Sequence, residues 1–367
     1  MRLGVAAALV EGSVVAGDVS IEDGRVSGVG LSPAGDAGLA APGFVDVQVN
    51  GYAGVDFLAA DPDGYVRAGA ALVRTGVTTF QPTLISAPIE TSIEAIATLK
   101  ALDGRLPGPR VLPAHLEGPF LSPLHHGAHN PEHMQRANLE IADQLCAAGP
   151  VGYVTVAPEI EGGLQLVDHL VARGIVVSLG HSDARGRTAT AAFDRGARAV
   201  THIFNAMGRW APRDPGLPGV ALSRSDVFIT AIVDHVHLAP ETVRLILASA
   251  GERLVLITDA IEAAGLGDGT YRLGDRVVEV RGLEVRLANG TLAGSVLSMD
   301  SAIRNLVADG ASLERALNAA TRVPARLLRR SDVGELKLGG LADVVVLDDS
   351  LQVQRTLVGG KEVYTAR

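Results

Sequence analysis

Five groups of polar residues stand where apolar runs end. Asp46, Gln48 and Asn50 lie at the close of 44–49, His115 and Glu117 at that of 110–116, and His181 follows 175–179. His202 and Asn205 end the run 199–202, and Thr258 and Asp259 end 254–258. Each alone has an ordinary use: His181 could cap a helix, His202 could be a satisfied core histidine, and Asp259 could be an N-cap. Together, two imidazoles and carboxylates converging on one rim have the composition of a catalytic metal site that keeps a position open for water. Glu117, His181 and His202 are the expected ligands. Asp259 is expected to take a proton from water and later hand it to a leaving nitrogen. Gln48 and Asn50, two apart on a strand, point the same way, but neutral amides are much poorer ligands than imidazoles. One tightly held divalent ion is therefore expected, with Zn²⁺ first and Fe²⁺, Co²⁺ or Mn²⁺ also suited to two His and one Glu. His115 points the same way as Glu117 but one layer deeper, which suits an orienting role. His125, His126 and His133 read as surface loop residues, and His169 as structural on an amphipathic helix.

The elements that must position these groups follow a βα rhythm. Helical stretches end at Gly76, Gly149, Gly174, Gly196 and Gly251, each suited to a left-handed C-terminal cap, and an apolar strand follows. The strands read as 44–49, 77–81, 110–116, 153–156, 175–179, 199–202, 227–233 and 254–258. Eight such units predict an α/β fold, a (β/α)8 barrel with its catalytic groups at the strand ends. A doubly wound open sheet is disfavoured because no Gly-rich phosphate fingerprint follows the first strand. Before the barrel, 14–21 and 26–29 flank Asp23-Gly24, a hairpin signal. After it come the apolar runs 342–347 and 356–358, with the turn signal Gly359-Gly360. The two ends are expected to pair into a small β-sandwich domain, giving 1–42 and 334–367 to that domain and 43–333 to the barrel.

The composition sets limits on function. With 367 residues and 47% hydrophobic content the chain can bury a large core, and its single cysteine, Cys146, excludes an intrachain disulfide or a Cys-based metal cluster. A net charge of −9 and a pI near 5.6 exclude a basic surface for nucleic acid or anionic membrane. A local pocket for a small anion remains compatible with that charge. No run of about 18 apolar residues suggests a membrane span, and the opening segment lacks the pattern of a signal peptide, so a cytoplasmic location is expected.

Several segments carry a resemblance to a known family. PGFVDVQVNGYAG at 42–54, HLEGPF at 115–120, GAHNP at 127–131, GHSD at 180–183, THIFNAM at 201–207, VDHVH at 233–237, TDA at 258–260 and LAGS at 292–295 resemble the N-acetylglucosamine-6-phosphate deacetylases. The tail GELKLGGLADVVVL at 334–347 is similar to the wider amidohydrolase superfamily. The resemblance implies that Glu117, His181 and His202 hold the metal and that Asp259 is the catalytic acid/base. It implies that His129, with Ala128, meets the acetamide and steadies the oxyanion. It further implies that Asn205, Ala206, Arg213 and the segment Asp234, His235, Val236 and His237 serve the sugar phosphate, while Leu292, Ala293 and Gly294 border the substrate. Gln48 and Asn50 stand where other members carry HxH, as in the single-metal branch. The implied reaction is metal-assisted hydrolysis of N-acetyl-D-glucosamine 6-phosphate to D-glucosamine 6-phosphate and acetate, in amino-sugar catabolism and cell-wall sugar recycling. The implied assembly is a homodimer with His237 reaching the neighbouring active site. His125-His126 has no fixed counterpart, and the galactosamine epimer is a rival substrate that one sequence does not exclude.

Overall fold

The computed structural model describes residues 1–102 and 107–366. Eight parallel strands make the main sheet: Phe44–Val49, Val77–Ile85, Ala114–Glu117, Val151–Val156, Val176–Leu179, Ala199–Val200, Phe228–Ala231 and Leu254–Leu256. Each pairs with the next. The ring closes where Val49 bridges Ala260 and the Asp259 N–H donates to the Gln48 carbonyl at 2.9 Å. This is the expected (β/α)8 barrel. Its strands are buried on both faces, which is why VVSL, FITA and LVL carry no charged residue and at most one small hydroxyl each. The outer helices bury one stripe each; Gly163–Ala172 turns Leu166, Val167 and Leu170 inward.

Several boundaries differ from the sequence reading. The second strand runs on through Pro82 to Ile85, and this extension carries the backbone to the rim beside the third strand. The third is interrupted after Arg110–Val111, where Pro113 lacks the N–H a ladder needs, and resumes at Ala114. Gly76, Gly174, Gly196 and Gly251 do adopt positive φ, at 81°, 78°, 102° and 56°. Gly149 does not: its φ is 173°, and it is glycine because a Cβ would lie 2.6 Å from the Ile96 carbonyl oxygen.

The chain ends share a six-stranded sheet ordered Ser13–Ala16, Ala7–Val10, Leu39–Pro42, Val344–Leu347, Val353–Val358 and Lys361–Thr365. Leu39–Pro42 runs antiparallel to Val344–Leu347, so the two ends pair as expected. The hairpin of Asp18–Glu22 with Arg25–Leu31 turns at Asp23-Gly24, φ 49° and 75°. It faces the six-stranded sheet across a separate core that includes Val5, Val19, Ile21, Val344 and Leu357. Gly359-Gly360 turns Val353–Val358 into a last strand, Lys361–Thr365, that the sequence reading did not include. A third sheet, Gly269–Leu273, Arg276–Arg281 and Glu284–Leu287, was also not anticipated. It follows the eighth barrel strand and packs on Ile85, Ala128 and Ile261 at the C-terminal mouth. No helix among the described residues is long and apolar enough to cross a membrane.

Candidate active site

Of the polar residues at the strand ends, Asn50, Glu117, His181, His202, Asn205 and Asp259 meet in one cavity of about 290 Å³ at that mouth. Three of them have backbone in the left-handed region: His181 at φ 47°, His202 at 31° and Asp259 at 50°. Such a conformation costs an L residue roughly 1–3 kcal/mol and persists only where neighbours hold it. The neighbours are visible. Ser182 Oγ and the Asp183 N–H donate to Glu159 at 2.7 and 2.6 Å, pinning the turn after His181. The His202 N–H donates to Thr230 Oγ1 at 2.8 Å. The fold therefore maintains strain at the ring that presents these side chains.

Glu117 is the hub. Its Oε1 lies 2.9 Å from His202 Nε2 and 3.3 Å from His181 Nε2, and the two Nε2 atoms are 3.1 Å apart. Ligands about 2.0–2.1 Å from a tetrahedral Zn²⁺ sit about 3.3 Å from one another. The triangle's edges are therefore those of one face of such a site. Its chemistry also fits. The His181 Nδ1–H donates to the His125 carbonyl at 2.9 Å, which turns an Nε2 lone pair toward the hub. His202 Nδ1 is buried without a partner among the described residues. Burial alone would raise the Glu117 pKa, but the His129, His181 and His202 imidazoles hold it well below the usual carboxylate range. Burial lowers the His181 pKa to about 4 and so keeps that ring a neutral donor of electrons. For His202, burial lowers the pKa, yet the Glu117 contact more than compensates and the value is raised.

A looser trio, Glu117, His129 and His181, also brings its donor atoms within 4.8 Å of one another. The hydrogen bonding separates the two sets. The Ser86 backbone N–H donates to His129 Nδ1 at 3.2 Å, so neutral His129 carries its proton on Nε2, 3.7 Å from Glu117 Oε2. An Nε2–H is a hydrogen-bond donor, not a metal ligand. The tighter triangle therefore has the donor set that could hold a metal ion, with His129 beside it as a hydrogen-bond donor in the cavity wall.

Asp259 completes the group. Burial first and the Glu117 charge second raise its pKa to about 6. Its Oδ1 accepts from Asn50 Nδ2 at 2.7 Å and from Gln48 Nε2 at 3.1 Å, while Oδ2 receives no hydrogen bond among the described residues. Gln48 Nε2 also donates to Glu117 Oε1 at 2.9 Å. Both amides thus present N–H groups to the carboxylates. His115 stays one layer deeper, with Nε2 2.8 Å from Thr155 Oγ1 and Nδ1 3.3 Å from Thr83 Oγ1.

Of the other expected residues, Ala128, His129, Asn205, Ala206, His237, Leu292 and Gly294 line the cavity. Five do not. Arg213 is exposed on its loop and outside the cavity wall. His235 turns away, its Nε2 2.9 Å from Asp309 Oδ2. Asp234 is buried behind the wall, accepting from the Val236 N–H, the His237 N–H and His237 Nδ1 at 2.9, 2.8 and 2.7 Å. Val236 is half-buried beside it, and Ala293 packs into the core of the third sheet. His237 lines this chain's own cavity, held by Asp234. The sequence reading missed Ile85, Gly127, Ile232, Leu273 and Thr291 in the wall and Ser86 behind His129. Extending the second strand past Pro82 would have brought Ile85 and Ser86 to the rim. His169 pairs with Asp143 at 2.8 Å on the helical surface, as a structural residue should.

The chain resembles known proteins over most of its length. Residues 39–363 match the Amidohydrolase family. The chain is 43% identical to the N-acetylglucosamine-6-phosphate deacetylase of Homo sapiens, over 89% of this chain and 84% of that one. It is 38% identical to the N-acetylgalactosamine-6-phosphate deacetylase of Escherichia coli O157:H7, over 93% of each. Its fold superposes with a TM-score of 0.93, at 36% identity, on a mutant of N-acetyl-D-glucosamine-6-phosphate deacetylase from Mycobacterium smegmatis in complex with N-acetyl-D-glucosamine-6-phosphate, covering 100% of this chain and 99% of that one. With its barrel, its strand-end carboxylate and imidazoles, and these relatives, the chain belongs to the amidohydrolase family, in the branch of the N-acetylglucosamine-6-phosphate deacetylases.

Proposed function

We propose that this protein hydrolyses the acetamide of N-acetyl-D-glucosamine 6-phosphate, releasing acetate and D-glucosamine 6-phosphate. The observation that carries the reading is one arrangement: the Glu117–His181–His202 triangle with an Asp259 Oδ2 unpartnered among the described residues and the His129 Nε2–H in the same cavity. Amide hydrolysis needs a charge on the carbonyl, a base for water, an acid for the leaving nitrogen and a donor for the oxyanion. The cavity's residues offer the last three, and the triangle would hold an ion to supply the first.

Glu117, His181 and His202 would hold one divalent ion, Zn²⁺ by preference, which supplies a polarising charge for the acetyl carbonyl and the attacking water. Asp259 takes a proton from that water as its oxygen bonds to the acyl carbon. The His129 Nε2–H donates to the oxygen as negative charge builds there, a contact typically worth about 3–4 kcal/mol of barrier. Asp259 then returns its proton to nitrogen as the C–N bond breaks, so the leaving group is an amine and not an amide anion. His237, Asn205 and Ala206 take the sugar end, and Leu292 and Gly294 border the ring. Arg213, exposed outside its own chain's cavity, suits a phosphate contact made across a homodimer. The single cysteine and the acidic surface suit the cytoplasm and a place in amino-sugar catabolism and cell-wall sugar recycling.

The N-acetylgalactosamine 6-phosphate epimer is the second reading, favoured by the 38% identity to a deacetylase of that sugar. Rates on the two phosphorylated sugars side by side test the choice. A kcat/KM higher for the galactosamine compound would replace the first reading with the second.

A further inference from the structure

We propose that Asp275 is a positioning residue for this reaction, clasping the segment that carries His129 to the sheet that roofs the cavity; the role rests on the deacetylase reading above. His129 is followed by Asn130 and the short turn Pro131–His133. Asn130 Oδ1 accepts from the Glu132 N–H at 3.2 Å, which commits the carbonyl side of the amide to the turn and faces its NH2 outward. That NH2 donates to Asp275 Oδ2 at 2.7 Å, and His133 Nε2 meets the same oxygen at 3.0 Å. One carboxylate oxygen thus gathers both ends of the turn.

Asp275 sits at the tip of the hairpin joining Gly269–Leu273 to Arg276–Arg281. Leu273, two residues away, lines the cavity, and its sheet packs on Ala128, the neighbour of His129. The far side of the tip is fixed as well, because the Gly274 N–H donates to Asp56 Oδ2 at 2.7 Å. Two of the segments in the wall, 127–129 and the hairpin strand that carries Leu273, are thus joined by Asp275. Asn130 is bonded to His129, so slack in the clasp passes to the imidazole with one rotatable backbone unit between them. Catalysis is sensitive to such slack: a displacement of about 1 Å can cost on the order of 10² in rate.

The test uses the full-length, metal-loaded enzyme with Asp275→Ala, Asp275→Asn, Asn130→Ala, the Asn130→Ala/Asp275→Ala double variant and His129→Ala. Metal content and thermal midpoint are read beside kcat and KM. Asp275→Ala should lower kcat on the order of tenfold with KM, metal content and thermal midpoint little changed. Asp275→Asn should recover most of that loss, since its amide carbonyl still accepts from Asn130. The double variant should be no worse than the poorer single variant, because both substitutions open one clasp. Wild-type kcat for Asp275→Ala while His129→Ala is impaired overturns the clasp alone. Losses that multiply in the double variant overturn it too. Wild-type activity in His129→Ala would instead remove the donor role assigned to His129, and the clasp with it.

Discussion

Replacing Asp259 with Asn separates chemistry from structure because the surroundings of its two oxygens differ. Oδ1 accepts from Asn50 Nδ2 and Gln48 Nε2 at 2.7 and 3.1 Å, while Oδ2 has no donor among the described residues. An Asn side chain can keep its carbonyl oxygen in the Oδ1 place, so both hydrogen bonds survive and the new NH2 takes the Oδ2 place. The substitution also removes a buried charge that Glu117 repels. The fold should therefore be unharmed, and the thermal midpoint of Asp259→Asn should match or exceed that of the wild type. Its chemistry should fail, since an amide cannot accept and return a proton at neutral pH. General acid–base catalysis contributes about 10² to 10⁴ in rate, and kcat should fall by that much. The assay is acetate release under saturating substrate, with elemental analysis on the same samples. A folded, metal-loaded Asp259→Asn enzyme that keeps more than about a tenth of wild-type kcat, far above the general acid–base loss, would refute the proton-transfer role.

Elemental analysis should find one tightly bound ion per wild-type chain and none in Glu117→Gln, because Gln48 and Asn50 turn N–H groups toward the carboxylates; two activity-linked ions would count against this. Burial raises the Asp46 pKa from the ordinary 3.8 to about 7. The folded state then binds this proton more tightly than the unfolded chain does, so its contribution is fully present below about pH 4 and is lost as pH rises through 7. The metal-free wild type should lose more stability across that window than metal-free Asp46→Asn does, as thermal midpoints at several pH values will report; equal slopes would remove the effect. Mixing Arg213→Ala with Asp259→Asn chains under subunit exchange should restore about a quarter of native sites if Arg213 crosses a two-fold dimer. No recovery despite proven exchange would place Arg213 outside the shared site.

Much of the barrel was legible because strands buried on both faces leave continuous apolar runs that a few polar residues punctuate. Glu117, His181, His202 and Asp259 stood out for that reason: each is an ionisable residue at a position where burial makes it costly. Other features left weaker traces. Pro82 reads as a strand end, which hid Ile85 and Ser86, although the strand continues with its neighbours on both sides. Gly149 looks like a helix cap in sequence, but its requirement is a close approach to the Ile96 carbonyl, a contact 53 residues away that no local pattern reports. The third sheet is short and largely exposed on one face, as at Arg276–Arg281 where only Val278 and Val280 are buried. Its weak alternation does not mark it as a cavity wall. The VDHVH segment divided in an unforeseen way, with His237 facing the cavity, Asp234 holding it and His235 turned to Asp309. Spacing alone does not say which of two histidines one residue apart from Val236 faces inward when His235 has φ 62°.

Incubating the purified, metal-loaded protein with N-acetyl-D-glucosamine 6-phosphate and measuring acetate and free amine together decides whether the cavity hydrolyses this amide. The two products should form catalytically in equal amounts with the wild type and be lost in Glu117→Gln and Asp259→Asn. A folded wild-type protein carrying its metal that releases neither product would contradict the proposed hydrolysis.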